Sequence, residues 1–320
     1  MRIFLSLVLS SICTVVLAGP PDTAQRVYTG IYLMNVYDLD LSEHSFHADF
    51  YLWFRWKGDR DPSDIEFVNA VEKWSITETP FYDSTLVLED GWSYAGRRIE
   101  GRFYHPFELG GFPLDRHHLM VQIENTAFPI DSLIYVPDQQ AQLYRAGMGL
   151  PGWDMTGVSV QSHQNRYETN FGRTDEQPAT YSNYTLQLTL ARPVTYFLLK
   201  LMLPLLVVII ACLGSLVIWP QYIDARISMP VSGLLTAVFL QQAYSAALPD
   251  VGYMVLMDKI YLMSYLLIAL VTFRIVVAGN QIKSQPGDTV LRQIWQRDIR
   301  LTWMLSLGFV LATALLVLSA

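Results

Sequence analysis

The chain has 320 residues, 52% of them hydrophobic and 16% charged, against roughly 25% charged in an average soluble domain. The formal charge of −7 is unevenly spread: residues 1–191 carry 13 Lys/Arg and 24 Asp/Glu, and residues 192–320 carry 9 and 5. With a mean hydropathy of +0.25 and a pI near 5.3, this excludes a disordered chain, a nucleic-acid binder and a single soluble globule. It leaves an acidic polar domain followed by a membrane domain.

Residues 1–18 read as a signal peptide. Arg2 gives a positive start, residues 3–17 an apolar core, and Val16-Leu17-Ala18 a small-residue cleavage pattern. The apolar run is short for a span, so the segment that follows is expected on the far side of the membrane.

Residues 19–191 read as strands. YTLQLTL (184–190) alternates apolar and polar side chains, as a half-buried strand requires. FHADFYLWFRW (46–56) and LMVQI (119–123) are similar, and Asp90-Gly91 marks a hairpin turn. Short strands between Gly/Pro/Asn/Asp clusters predict a β-sandwich. The two cysteines are Cys13 and Cys212, so this domain has neither a disulfide nor a cysteine zinc site.

Enzyme signatures are missing: the sequence has no HExxH, no GxSxG and no phosphate-binding glycine loop. All six histidines (44, 47, 105, 117, 118 and 163) fall before residue 192. His117 and His118 are adjacent in a strand-like run and point to opposite faces. They are expected to be ordinary surface or interface histidines. No catalytic residue, metal or cofactor is expected.

Four apolar segments follow Arg192: 196–218, with Pro204 inside it, then 227–248, 253–279 and 299–320. A helix of about 20 residues crosses a ~30 Å hydrocarbon core. The connector over 279–300 carries Lys283, Arg292, Arg297 and Arg300 against Asp288 and Asp298, which the positive-inside rule puts in the cytoplasm. Asp258 and Lys259 near one end of span three, and Arg274 near the other, are expected to snorkel.

Span two differs in kind. Asp224, Ser228, Ser232, Leu235, Phe239 and Gln242 recur at helical spacing, which puts them on one face. Such a partly polar stripe is costly against lipid and reads as a pore wall or as a face packed on neighbouring helices. One polar helix cannot enclose a pore, so the pore reading requires a cyclic oligomer. A sensor or scaffold domain on a four-helix anchor is the alternative, and such an anchor has no need of the stripe.

Phe112-Pro113-Leu114-Asp115, within HPFELGGFPLDRHHL, resembles the FPxD loop of the pentameric ligand-gated ion channels, the Cys-loop receptor superfamily. Other matches follow in chain order: YDLDLSEHSF (37–46) running into WFRW (53–56), Gly152-Trp153-Asp154, Arg192 before span one, Tyr196 and Pro204 within it, and Leu248-Pro249 after span two. The cysteines that bracket the loop in animal members are replaced here by His105 and Leu119, and the 279–300 connector is too short for a folded intracellular domain. Both features resemble bacterial members.

The resemblance implies a fold and a set of roles. The fold is an all-β extracellular or periplasmic sandwich followed by an all-α four-helix transmembrane domain, assembled as a homopentamer in the inner (plasma) membrane. Span two lines the channel. Asp224 matches the acidic ring of cation-selective members, although Ala225-Arg226 resembles the anion-selective pattern; monovalent cations are the expected permeant ions. Leu235 and Phe239 are the expected gate. Asp40 (or Glu43), Asp115, Arg192 and Pro249 are the expected coupling residues, with Arg192 set between Asp40 and Asp115. Tyr51, Phe128 and Tyr181 are the expected contacts of a small-molecule agonist. Val68 and Thr126 stand where aromatic residues are usual, so an amine and the proton both stay open as the agonist.

Overall fold

The computed structural model describes residues 23–139, 142–172, 179–284 and 287–319; the signal-peptide segment lies outside them. The amino-terminal unit is a ten-strand sandwich. One sheet holds β1 (Gln25–Asp40), β2 (Ser45–Trp56), β4 (Thr77–Pro80), β5 (Leu86–Val87), β6 (Ser93–Tyr104) and β8 (Leu133–Pro137), in the order β4-β6-β2-β1-β8 with β5 also on β6. The other runs β3 (Ile65–Phe67), β7 (Arg116–Asn125), β10 (Thr180–Ala191) and β9 (Asp154–Arg166).

Alternation in the sequence builds the core between these sheets. Phe46, Ala48, Phe50, Leu52, Phe54 and Trp56 point inward from β2, and Leu119, Val121 and Ile123 from β7; Tyr184, Leu186, Leu188 and Leu190 follow from β10. Each large apolar side chain so buried contributes about 1.5–3 kcal/mol. The domain is held by this packing without a disulfide: Cys212, the one cysteine among the described residues, is free and buried. The Asp90-Gly91 turn links β5 to β6, with Gly91 at φ +75° and its amide donating to the Leu88 carbonyl at 2.9 Å. That left-handed backbone suits glycine.

Four helices follow, each long and apolar enough to cross a membrane. The first begins as a wide π-helical turn over Tyr196–Met202 and tightens into α1 (Leu203–Gly214). Pro204 sits in the first turn of α1, where its missing N–H disturbs the helix least. Then come α2 (Ile223–Ser245), α3 (Leu256–Ser284) and α4 (Asp288–Ser319). Gly233 marks the close approach of α2 to α1, since a Cβ there would lie 2.3 Å from Cys212 Sγ.

The helices run beyond the apolar segments at several ends. The connector over 279–300 is mostly helical, because α3 runs on to Ser284 and α4 starts at Asp288. Hydropathy marks the lipid-facing stretch, whereas a helix continues into water as long as its backbone is satisfied. Likewise α2 begins at Ile223, so Pro230 lies inside it and withholds a donor from the Arg226 carbonyl.

Candidate functional site

The junction between the sandwich and the helices is built on Asp115. Its side chain is 1% exposed and meets Arg192, itself 14% exposed. Arg192 Nε donates to Asp115 Oδ1 at 2.8 Å and to Oδ2 at 3.1 Å. The guanidinium also lies over the rings of Trp153 and Phe112, at 4.2 and 4.9 Å from their centroids. Such cation–π contacts strengthen when desolvated. The ion pair therefore has aromatic walls.

From this pair a chain of contacts runs to α2. Phe112 stacks on Tyr244 with centroids 6.2 Å apart, and Tyr244 stacks on Tyr261 at 5.4 Å. The Tyr244 hydroxyl donates to Asp258 on α3. The loop backbone is tied to the same helix, with the Leu256 amide donating to Gly110 O at 3.0 Å and Met257 to Phe112 O at 3.3 Å. The amide of Leu109 donates to the Tyr253 hydroxyl at 2.9 Å. The 112–115 loop thus sits on the α2–α3 end of the bundle.

The expected position of Arg192 between two carboxylates is corrected. Asp40 Oδ1 instead accepts the amides of Ser42 and Glu43, each at 2.9 Å. A short carboxylate in a turn is captured by its own backbone amides. Asp40 and its neighbours still face the helices, because residues 38–42 and 246–249, Pro249 included, line one cavity of about 260 Å³. The second partner of Asp115 is His117, whose Nε2 lies 2.7 Å from Oδ2. His117, expected at the surface or an interface, is buried. His118 is exposed, with Nδ1 3.1 Å from Thr189 Oγ1.

On α2 one stripe of side chains is buried and most of the others are exposed, Val231, Leu234 and Val238 among them. Arg226, Pro230, Gly233, Ala237 and Tyr244 are buried against the subunit. Asp224, Ser228, Ser232, Leu235, Phe239 and Gln242 are exposed in the single chain, with Leu235 at 58% and Phe239 at 61%. The snorkelling expected of Asp258 and Arg274 is corrected: Asp258 accepts from Tyr244 and from the Val255 amide at 3.2 Å, and Arg274 Nε donates to Asp298 Oδ1 at 2.7 Å.

The expected ligand contacts lie in separate clusters of the chain. Tyr51 on β2 packs edge-on against Phe81 at 5.6 Å, under the Arg98 guanidinium at 5.8 Å. Phe128 lies under Arg60 at 6.0 Å. Tyr181 on β10 meets Tyr167 at 5.8 Å.

No family model matches the chain. Among curated proteins it is 23% identical over 265 residues to the alpha-2 subunit of the rat gamma-aminobutyric acid receptor, covering 75% of this chain and 56% of that subunit. It is 23% identical over 292 residues to a proton-gated ion channel of Gloeobacter violaceus, covering 84% of this chain and 78% of that protein. A glutamate-gated chloride channel subunit of Haemonchus contortus is 27% identical over 154 residues, covering 47% and 34%. The sandwich followed by four apolar helices is consistent with the architecture of these relatives. The relatives are channels of the pentameric Cys-loop receptor superfamily, and it is to these that the chain is similar. Its relatives are ion channels and not enzymes, and it is a multi-pass membrane protein. It spans 56% of the length of the receptor subunit it matches.

The geometry also includes residues that the sequence did not single out. Glu124 is buried on β7, accepting Asn165 Nδ2 and Asn183 Nδ2 at 2.7 Å each and the Tyr167 hydroxyl at 3.0 Å. Burial and the bond to Glu124 push the Tyr167 hydroxyl up to about 12. The only sequence signal is a carboxylate at the end of an alternating strand, which usually marks a solvated edge.

His105 walls a cavity of about 350 Å³ with Tyr104, Arg116 and His118. Burial, then the neighbouring His117, His118 and His44, push it down to about 4, against ~6.5 in an unfolded chain. Between those two values the unfolded chain holds a proton that the folded one rejects. Stability therefore falls as pH drops from about 6.5 to about 4. In His105→Gln the thermal midpoint should depend less on pH across that window. An equally steep fall in the variant would exclude His105 as the cause.

Proposed function

We propose that the chain assembles as a homopentamer around α2 and works as an agonist-gated, cation-selective channel, with the sandwich on the outer or periplasmic side of the plasma membrane. The observation that carries this reading is the division of α2. It buries Arg226, Pro230, Gly233, Ala237 and Tyr244 against its own subunit, and among the side chains left exposed Asp224, Ser228, Ser232, Leu235, Phe239 and Gln242 share one face by helical spacing. Five such faces enclose a path, with carboxylates at one mouth and apolar rings further along.

Cation selectivity is argued from charge. Asp224 is exposed while Arg226 is buried, so the carboxylate governs the field at the mouth. A ring of five would attract cations by several kT, most strongly at low salt. Reversal potentials in a sodium chloride gradient test this. The reversal should follow sodium, and Asp224→Asn should lower both the cation-to-anion permeability ratio and the inward conductance. A wild-type reversal that follows chloride overturns it.

The agonist reading is an organic amine, bound between Tyr51 of one subunit and Phe128 and Tyr181 of the next. Aromatic faces attract an ammonium by ~0.5–2 kcal/mol each, and Glu124 supplies a negative pole behind Tyr167 and Tyr181. Currents evoked by an amine panel at constant pH support it; currents evoked by acid steps alone replace it with the proton.

A further inference from the structure

Arg226 has no exposed surface, although Asp224 and Ala225 just before it are open to solvent. A guanidinium stays charged at any accessible pH, so at this depth it needs partners. Its Nε donates to the Ser215 carbonyl at 3.1 Å and Nη2 to the Leu216 carbonyl at 3.5 Å. Nη2 also donates to Oδ2 of Asp298 on α4. Asp298 is itself fully buried, and its Oδ1 accepts from Arg274 on α3 at 2.7 Å. One carboxylate thus serves two arginines and joins three helices. Arg226 Nη1 and Arg274 Nη2 are both buried without a hydrogen-bond partner among the described residues.

We propose that Asp298 is a positioning residue for ion selection: it pins the Arg226 guanidinium on the α3–α4 side of α2 and so keeps a ring of positive charge out of the ion path beside Asp224. The inference rests on reading α2 as the pore wall. Without the Asp298 charge, Arg226 and Arg274 face each other in a low dielectric, and neither can escape by losing a proton. Arg274 is already 18% exposed where it sits on α3, whereas the way out for the fully buried Arg226 leads to the mouth of the path. The long flexible stem of Arg226 starts in the first turn of α2, two residues from the solvent-facing carboxylate of Asp224. Five guanidiniums released there would offset five carboxylates. The helix least buried of the four then sets what the pore admits, by holding one charge in place.

The test uses the full-length channel and its reversal potential in a sodium chloride gradient, a readout that loose packing alone does not move. Asp298→Asn should lower the cation-to-anion permeability ratio about tenfold, and adding Arg226→Gln to it should restore the wild-type ratio. Arg226→Gln alone should leave the reversal potential unchanged, since its charge lies off the path; this variant still decides the question where Asp298→Asn does not reach the surface. An unchanged ratio in surface-expressed Asp298→Asn, or a shifted one in Arg226→Gln, overturns the proposal. If the wild type itself prefers chloride, the cation reading fails separately. The pinning is still tested, because release of Arg226 would then raise the chloride preference further.

Discussion

Replacing Arg192 by glutamate is expected to abolish agonist-evoked current while assembled protein still reaches the cell surface. The reason is local. Asp115 is 1% exposed and shares its two oxygens between Arg192 and His117. A glutamate at 192 would put a second carboxylate against a buried one and remove the cation from over Trp153 and Phe112. Breaking a buried ion pair by removing one partner costs about 3–5 kcal/mol. In a two-state gating equilibrium that corresponds to a factor of roughly 10² to 10³ or more. The effect has a route to the pore, because Phe112 stacks on Tyr244 of α2 and Tyr244 bonds Asp258 of α3. Arg192→Lys separates charge from shape: it keeps the cation but loses the Nε that donates to both Asp115 oxygens and the planar guanidinium over Trp153 and Phe112, so it should respond with reduced current. Whole-cell recording with surface labelling measures both. Normal currents from well-assembled Arg192→Glu would remove Arg192 from the coupling path.

The architecture was legible in the sequence because its signals are periodic. Alternation in FHADFYLWFRW and YTLQLTL describes β2 and β10, and four apolar runs describe the helices to within a few residues at most ends. The errors fall where periodicity gives no information. Helix α4 starts at Asp288, well before its apolar run, because hydropathy reports the lipid and not the hydrogen-bonded backbone. Asp40 was assigned to Arg192 by analogy of position, yet two turn amides compete for its carboxylate and win. His117, expected at the surface or an interface, is buried with Nε2 2.7 Å from Asp115 Oδ2; the i, i+2 spacing puts the two on one strand face, but only the fold shows that this face is covered. The contacts that tie distant elements together are less legible still. Arg226 with Asp298, and Glu124 with Asn165 and Asn183, join residues far apart in the chain, and no local rule relates them. The sequence does show that a charge lies in an apolar segment; only the fold shows its partner.

The second large effect is expected at Phe239. Leu235 and Phe239 are exposed on the same face of α2, about 6 Å apart along the axis at 1.5 Å per residue. In a pentamer they form two stacked apolar rings, and a narrow apolar ring excludes ions by shedding its water. Phe239→Ser replaces the wider ring with hydroxyls, which hold water in the constriction and weaken the contact between rings in the closed state. Losing even about 1.5 kcal/mol of apolar contact shifts the closed–open balance by roughly tenfold. The variant should therefore carry a standing current without agonist, removable by an open-pore blocker, whereas Phe239→Leu should stay shut at rest. The subunit-interface alternative makes the opposite forecast. If Phe239 turned instead into the contact between neighbouring subunits, serine there would lower the yield of pentamers and leave the surviving channels closed at rest. Resting leak scaled to surface protein thus separates a gate from a packing residue.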